Sequence, residues 1–109
     1  MINVKKEVIM KENIQAMVLK IHKITDLMYQ QKQGEAFQEF GVCLNELTLI
    51  TEQFFTLKMQ GILSTFDEQK YLQILKEAMN ALEIRDDVLL ADILNYDLTE
   101  QLEEIITQL

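Results

Sequence analysis

The sequence predicts an all-α protein, an antiparallel up-down four-helix bundle with helices at about 13–33, 35–60, 66–83 and 87–108. Three observations carry this expectation. Proline is absent and only three glycines occur in 109 residues, which removes the residues that most often punctuate strands and hairpins. Apolar side chains recur at steps of three and four and nowhere alternate convincingly, so the period is that of a helix. The breaks between periodic stretches are short, and short connections leave consecutive helices antiparallel. A chain of this length supports one core, and residues 1–109 are read as one domain.

The first helix is expected from Asn13, an N-cap residue type, with Ile14, Met17, Val18, Ile21, Ile24, Leu27 and Met28 on one face. Residues 1–12 either extend it, since Val4, Val8 and Ile9 keep a similar spacing, or form a separate arm. Gly34 marks the break, because glycine enters the left-handed conformation that ends helices without a Cβ penalty. The second helix carries Phe37, Phe40, Leu44, Leu47, Ile50, Phe54 and Leu57 inward. Gly41 inside it costs about 1 kcal/mol relative to alanine, a cost that a close helix crossing would offset. Gly61 is placed to follow the last turn, with Ile62 folding back on it.

Thr65-Phe66-Asp67-Glu68 has the form of a capping box with Thr65 as N-cap, and so opens the third helix. Phe66, Tyr71, Ile74, Leu75, Ala78 and Leu82 form its stripe. Glu83 to Asp87 is the next turn, with Asp86 placed to cap the fourth helix, whose stripe is Val88, Ala91, Leu94, Leu98, Leu102, Ile105, Ile106 and Leu109. Asp97 and Glu100 make a second box, which predicts a bend or restart near Tyr96. An offset of 51 residues lays Phe37, Leu47 and Phe54 over Val88, Leu98 and Ile105, a weak correspondence that favours two stacked hairpins.

The stretch from Ala81 to Leu98, ALEIRDDVLLADILNYDL, resembles the C-terminal hairpin of a family of small all-helical proteins of unknown function from low-GC Gram-positive bacteria. The pattern there is an alanine-leucine-glutamate helix end, a lysine-aspartate turn, then leucine-leucine-alanine-aspartate and tyrosine-acid-leucine. A looser likeness runs through Gly34-Glu35-Ala36-Phe37 and covers about residues 13–108. Arg85-Asp86 stands where lysine-aspartate is usual, and Glu100 where proline is frequent, which weakens the expectation of a sharp kink. The resemblance implies a helical fold and brings with it no activity, cofactor or ligand residue.

Composition narrows the function. Eighteen acidic against ten basic residues give a net charge of −8, which repels nucleic acid and anionic lipid headgroups alike. The lysines near the start, from Lys5 to Lys23, are interleaved with Glu7, Glu12 and Asp26 and read as a solvated helix face. No uncharged apolar run approaches the length needed to cross a bilayer, and Lys5-Lys6 is not followed by the clean apolar stretch of a secretory signal. Cys43 is alone between Val42 and Leu44, a small buried hydrophobe in a reducing, cytoplasmic setting.

No arrangement of residues specifies catalysis. His22 is the only histidine, so neither a nucleophile with its base nor the paired Glu-x-x-His of di-metal bundles is available. Glycine-rich phosphate loops and zinc-type cysteine spacings are missing as well. An oxygen-liganded Mg²⁺ or Ca²⁺ site at Asp86, Asp87, Asp92 and Asp97 is the alternative reading, in which a metal-dependent enzyme or binder is built around Asp92 and Asp97. Asp92, flanked by Leu89, Leu90, Ile93 and Leu94, is expected to be partly buried and to pair with Tyr29, Tyr71 or a lysine; Asp97 is the second candidate buried acid. The six methionines, Met10, Met17, Met28, Met59 and Met79 among them, read as core filler, with an adaptable binding surface as the alternative. Phe54-Phe55 cannot both enter one narrow core, so one of them reaches an edge or an interface.

The preferred expectation is therefore a non-enzymatic interaction protein without cofactor. It either self-associates as a homodimer or holds a partner helix in an apolar groove lined by Phe55, Leu57, Leu89 and Leu90, a role that suits a chaperone for an exported subunit.

Overall fold

The computed structural model describes residues 4–109, and all described elements are helical: α1 (Val4–Tyr29), α2 (Gln33–Met59), α3 (Glu68–Glu83) and a C-terminal helix. That last helix runs without interruption as α4 (Asp87–Asp92), a π-helical segment (Ile93–Leu98) and α5 (Thr99–Thr107). The bundle is elongated, 47 × 25 × 19 Å. Helix α1 lies at its centre, packed along α2 on one side and along the C-terminal helix on the other, while α3 packs on the C-terminal helix.

Helix α1 starts well before Asn13, which lies exposed within it. Nothing between Val4 and Asn13 breaks a helix, and Met10 continues the stripe of Ile14 and Met17 onto the core. Residues 4–12 are thus an extension and not an arm; residues 1–3 lie outside the described residues. The expected face is buried, and Thr25 joins it at 1 % exposure.

Gly34 does not end α1. The chain turns three residues earlier, where Gln31 takes the left-handed conformation (φ 63°). The Gln31 and Lys32 amides donate to the Met28 and Leu27 carbonyls at 3.0 and 2.8 Å, the paired bonds of a Schellman turn. Gly34 falls in the first turn of α2, so that Ala36 and Phe40 reach the core. The same turn recurs twice. Gly61 (φ 80°) closes α2, with Ile62 donating to the Leu57 carbonyl. Arg85 (φ 57°) closes α3, with Asp86 donating to the Ala81 carbonyl. Gly41 is exposed, and a Cβ added there would meet nothing within 4 Å, so no close crossing explains that glycine.

The α3 cap is Asp67 and not Thr65: the Asp67 carboxylate accepts from the Lys70 amide at 3.0 Å. Packing displaces the start, because Leu63 and Phe66 are both buried in the connection and hold it against the bundle. Phe66 meets Phe54 and Tyr71 edge-on, with ring centroids 5.9 and 5.5 Å away, and Phe54 meets Tyr71 at 5.9 Å. Phe55 is the edge member of the pair, half-buried against Phe66 at 6.2 Å. The Lys58 ammonium covers this corner, donating to the Phe66 carbonyl and lying over its ring. The Tyr71 hydroxyl is 2.7 Å from that of Thr51, which ties α3 to α2.

Asp86 caps α4 as expected, accepting from the Leu89 amide at 3.0 Å. Beyond it there is no restart at Asp97. The helix widens into a π turn, and Thr99 donates its hydroxyl to the Asn95 carbonyl at 2.6 Å, a back-bond that perturbs regular helices. Ala91, Leu94, Leu98, Leu102 and Ile105 are buried as expected and Leu90 and Ile93 join them, whereas Val88, expected inside, is exposed in the first turn of α4.

Candidate functional site

The π segment lies against α1 through a row of polar side chains. His22 Nδ1–H donates to Asn95 Oδ1 at 2.8 Å. The Thr25 hydroxyl donates to the His22 carbonyl at 3.0 Å and lies 3.4 Å from the same Asn95 oxygen. One turn further along α1, the Tyr29 hydroxyl donates to Asp92 at 2.5 Å. These residues, His22, Thr25 and Tyr29, follow helical spacing on α1 and meet Asp92 and Asn95, which bracket the start of the π turn. Such turns are rare and recur at functional sites.

Outward from this seam lies an exposed apolar and aromatic face. Val88, Leu89 and Tyr96 stand four residues before, three before and four after Asp92, within one helix face, with Val88 and Tyr96 64 % and 63 % exposed and Leu89 and Tyr29 43 %. Partial desolvation against the C-terminal helix, then the hydrogen bond and charge of Asp92, then Tyr96 and Asp26, push the Tyr29 hydroxyl up to about 12. Tyr29 is therefore neutral at physiological pH and holds its proton toward Asp92.

The residues singled out from sequence are distributed differently. Asp92 pairs with Tyr29, one of the three partners expected for it, but is exposed, and Asp97 is also exposed, so neither is a buried acid. The acidic side chain of Asp97 instead lines a shallow groove of about 280 Å³ between α3 and the C-terminal helix, with Lys70, Ile74, Glu77 and Glu100. Among the described residues, no three His, Cys, Asp or Glu side chains come together as a metal-ligand group; Asp86, Asp87, Asp92 and Asp97 are not gathered into one.

The groove expected from Phe55, Leu57, Leu89 and Leu90 does not form as one surface. Leu90 is buried at 1 % exposure, and Phe55 packs beneath the α2–α3 connection. Leu57 lines a separate open cleft of about 700 Å³ at the far end of the bundle, with Ile9, Met10, Ile62 and Leu109. Only Leu89 belongs to the face around Asp92. Nothing in the spacing marks Tyr29, Val88 and Tyr96 as one surface, because they come from the end of α1, the first turn of α4 and the π turn and meet only in the folded bundle.

Cys43 is buried, its Sγ 3.3 Å from Met17 Sδ. Burial foremost, with Glu46 adding and Lys20 opposing, pushes the thiol up to about 11. It is an inert core residue at neutral pH.

The family model for a domain of unknown function, DUF8042, matches residues 10–108. The chain belongs to this family. The DUF8042 match begins at Met10, where α1 first touches the core, and ends one residue past α5, so it spans the whole bundle and singles out no site. No curated protein and no solved structure matches the chain. No described helix is long and apolar enough to cross a membrane.

Proposed function

We propose that this DUF8042 protein is a non-enzymatic interaction protein whose docking surface is the face formed by Tyr29, Val88, Leu89 and Tyr96 around Asp92. One observation carries the reading: Tyr29 at the end of α1, Val88 and Leu89 on α4 and Tyr96 on the π turn stand exposed around Asp92, where hydrogen bonds from His22 and Tyr29 hold the C-terminal helix to α1. Tyrosine is enriched at interfaces because its ring supplies area while its hydroxyl stays wet. The hydrogen-bonded seam holds the face in place before a partner arrives, which lowers the ordering cost of binding. A cytoplasmic setting suits the lone buried thiol. Holding an exported subunit before its release is a role of this kind.

The test compares quantitative affinity capture, and sedimentation of the purified chain, for the parent and for Val88→Ser/Tyr96→Ala. A specific protein, or a second copy of the chain, is expected with the parent and at least about tenfold less with the variant, as for loss of interface anchors. Identical captured sets together with identical sedimentation would overturn the proposal.

A further inference from the structure

The net charge is carried by one part of the chain. Residues 1–63 hold seven acidic and seven basic side chains, whereas residues 64–109 hold eleven acidic and three basic, which accounts for the whole −8. From Glu77 to Leu109, Arg85 is the only basic residue against nine acidic ones. The exposed face around Asp92 lies in this stretch, joined from α1 by Tyr29 and its neighbour Asp26. Its chemistry is thus apolar and aromatic surface with carboxylates set into it.

Resting on the interaction role above, we infer that the occupant of this face is a lysine- or arginine-rich amphipathic helix of a partner protein. Val88 and Leu89 offer apolar area to the helix's apolar side. The rings of Tyr29 and Tyr96, beside the Asp92 carboxylate, suit an ammonium or guanidinium group, which gains from an aromatic face and a carboxylate at once. Charge complementarity selects this occupant over the others. A second copy, docked through the same patch by a two-fold axis, sets Asp92 and Asp26 against their own images. Nucleic acid and anionic bilayers meet the same repulsion.

The probe is an 18-residue lysine–leucine peptide with leucines at three- and four-residue spacing, titrated against the full chain by fluorescence anisotropy. Its counterpart with glutamate in place of lysine is the control. The lysine peptide is expected to bind, more weakly as salt rises, and the glutamate peptide not to bind. Asp92→Asn and Tyr96→Ala each weaken binding about fivefold or more, the size of one exposed cation–π or charge-assisted contact. Glu103→Gln, the same loss of charge elsewhere on the C-terminal helix, changes it less than about twofold. Equal weakening by Glu103→Gln would reduce the effect to diffuse attraction and overturn the inference, as would binding of the glutamate peptide or no binding of the lysine one. If partner capture depends on Val88 and Tyr96 while the lysine peptide ignores Asp92, the interaction role stands and the basic-helix inference falls.

Discussion

The α2–α3 corner and the seam between α1 and the π turn use aromatic residues in opposite ways. At the corner, Phe54, Phe66 and Tyr71 are all under 4 % exposed, and their rings meet edge-on. At the seam, Tyr29 and Tyr96 stand outward, and the inward groups are histidine, threonine and asparagine joined by hydrogen bonds. Dispersion and burial hold the first region, whereas directional bonds position the second. The difference teaches where this chain has side chains to spare for a partner: removing a corner ring costs the fold, while removing a seam ring costs only surface.

Phe54→Ala is the largest break. It empties the centre of the corner and is expected to cost about 3–5 kcal/mol, read from urea denaturation. Alkali follows, and it acts on Tyr71 at the corner, on Tyr29 at the seam and on Cys43 in the core between α1 and α2. Burial pushes the Tyr71 hydroxyl up to about 12, against the lowering effect of its bond to Thr51, and Cys43 up to about 11. The folded state therefore keeps these protons at pH values where the unfolded chain releases them. Stability is fully present below about pH 9, falls as pH rises toward 12, and falls less steeply in Tyr71→Phe, as thermal midpoints across that range will show.

Asn95→Ala sharpens the comparison at the seam. It strips the acceptor from His22 Nδ1–H and is expected to cost about 1–2 kcal/mol, with a displaced His22 ring signal in NMR and the aromatic corner unmoved. Gly41→Ala and Gln31→Gly act on the backbone alone and raise stability. Gly41→Ala adds about 0.8–1 kcal/mol, because the site is an open helix interior. Gln31→Gly adds about 1 kcal/mol, because φ is 63° there. Denaturation midpoints check both.

Much of the fold could be read from residue spacing, for a physical reason. Burial follows the 3.6-residue period wherever the backbone is regular, so the stripes of α1, α2 and α3 stand in the sequence as they do in the structure. Turn chemistry was legible where a residue type is decisive, at Gly61 and Asp86, and illegible where packing overrides preference. Gln31 and Arg85 take left-handed conformations without being glycine, and Leu63 and Phe66, buried in the connection, displace the α3 cap from Thr65 to Asp67. The site was least legible. Val88-Leu89-Leu90-Ala91 is an unbroken apolar run, so spacing alone does not tell that Val88 faces outward and Leu90 inward. Of the partners the sequence offers Asp92, namely Tyr29, Tyr71 or a lysine, the structure takes Tyr29, and the acid itself is exposed. His22–Asn95, a long-range pair, left no local trace.

Urea denaturation of Val88→Ser/Tyr96→Ala tests most directly whether the outward face is free of any duty to the fold. The expected free energy of unfolding lies within about 0.5 kcal/mol of the parent with an unchanged slope, as for exposed positions. A loss of about 2 kcal/mol or more would show that these side chains hold the bundle together and would contradict their assignment to a partner.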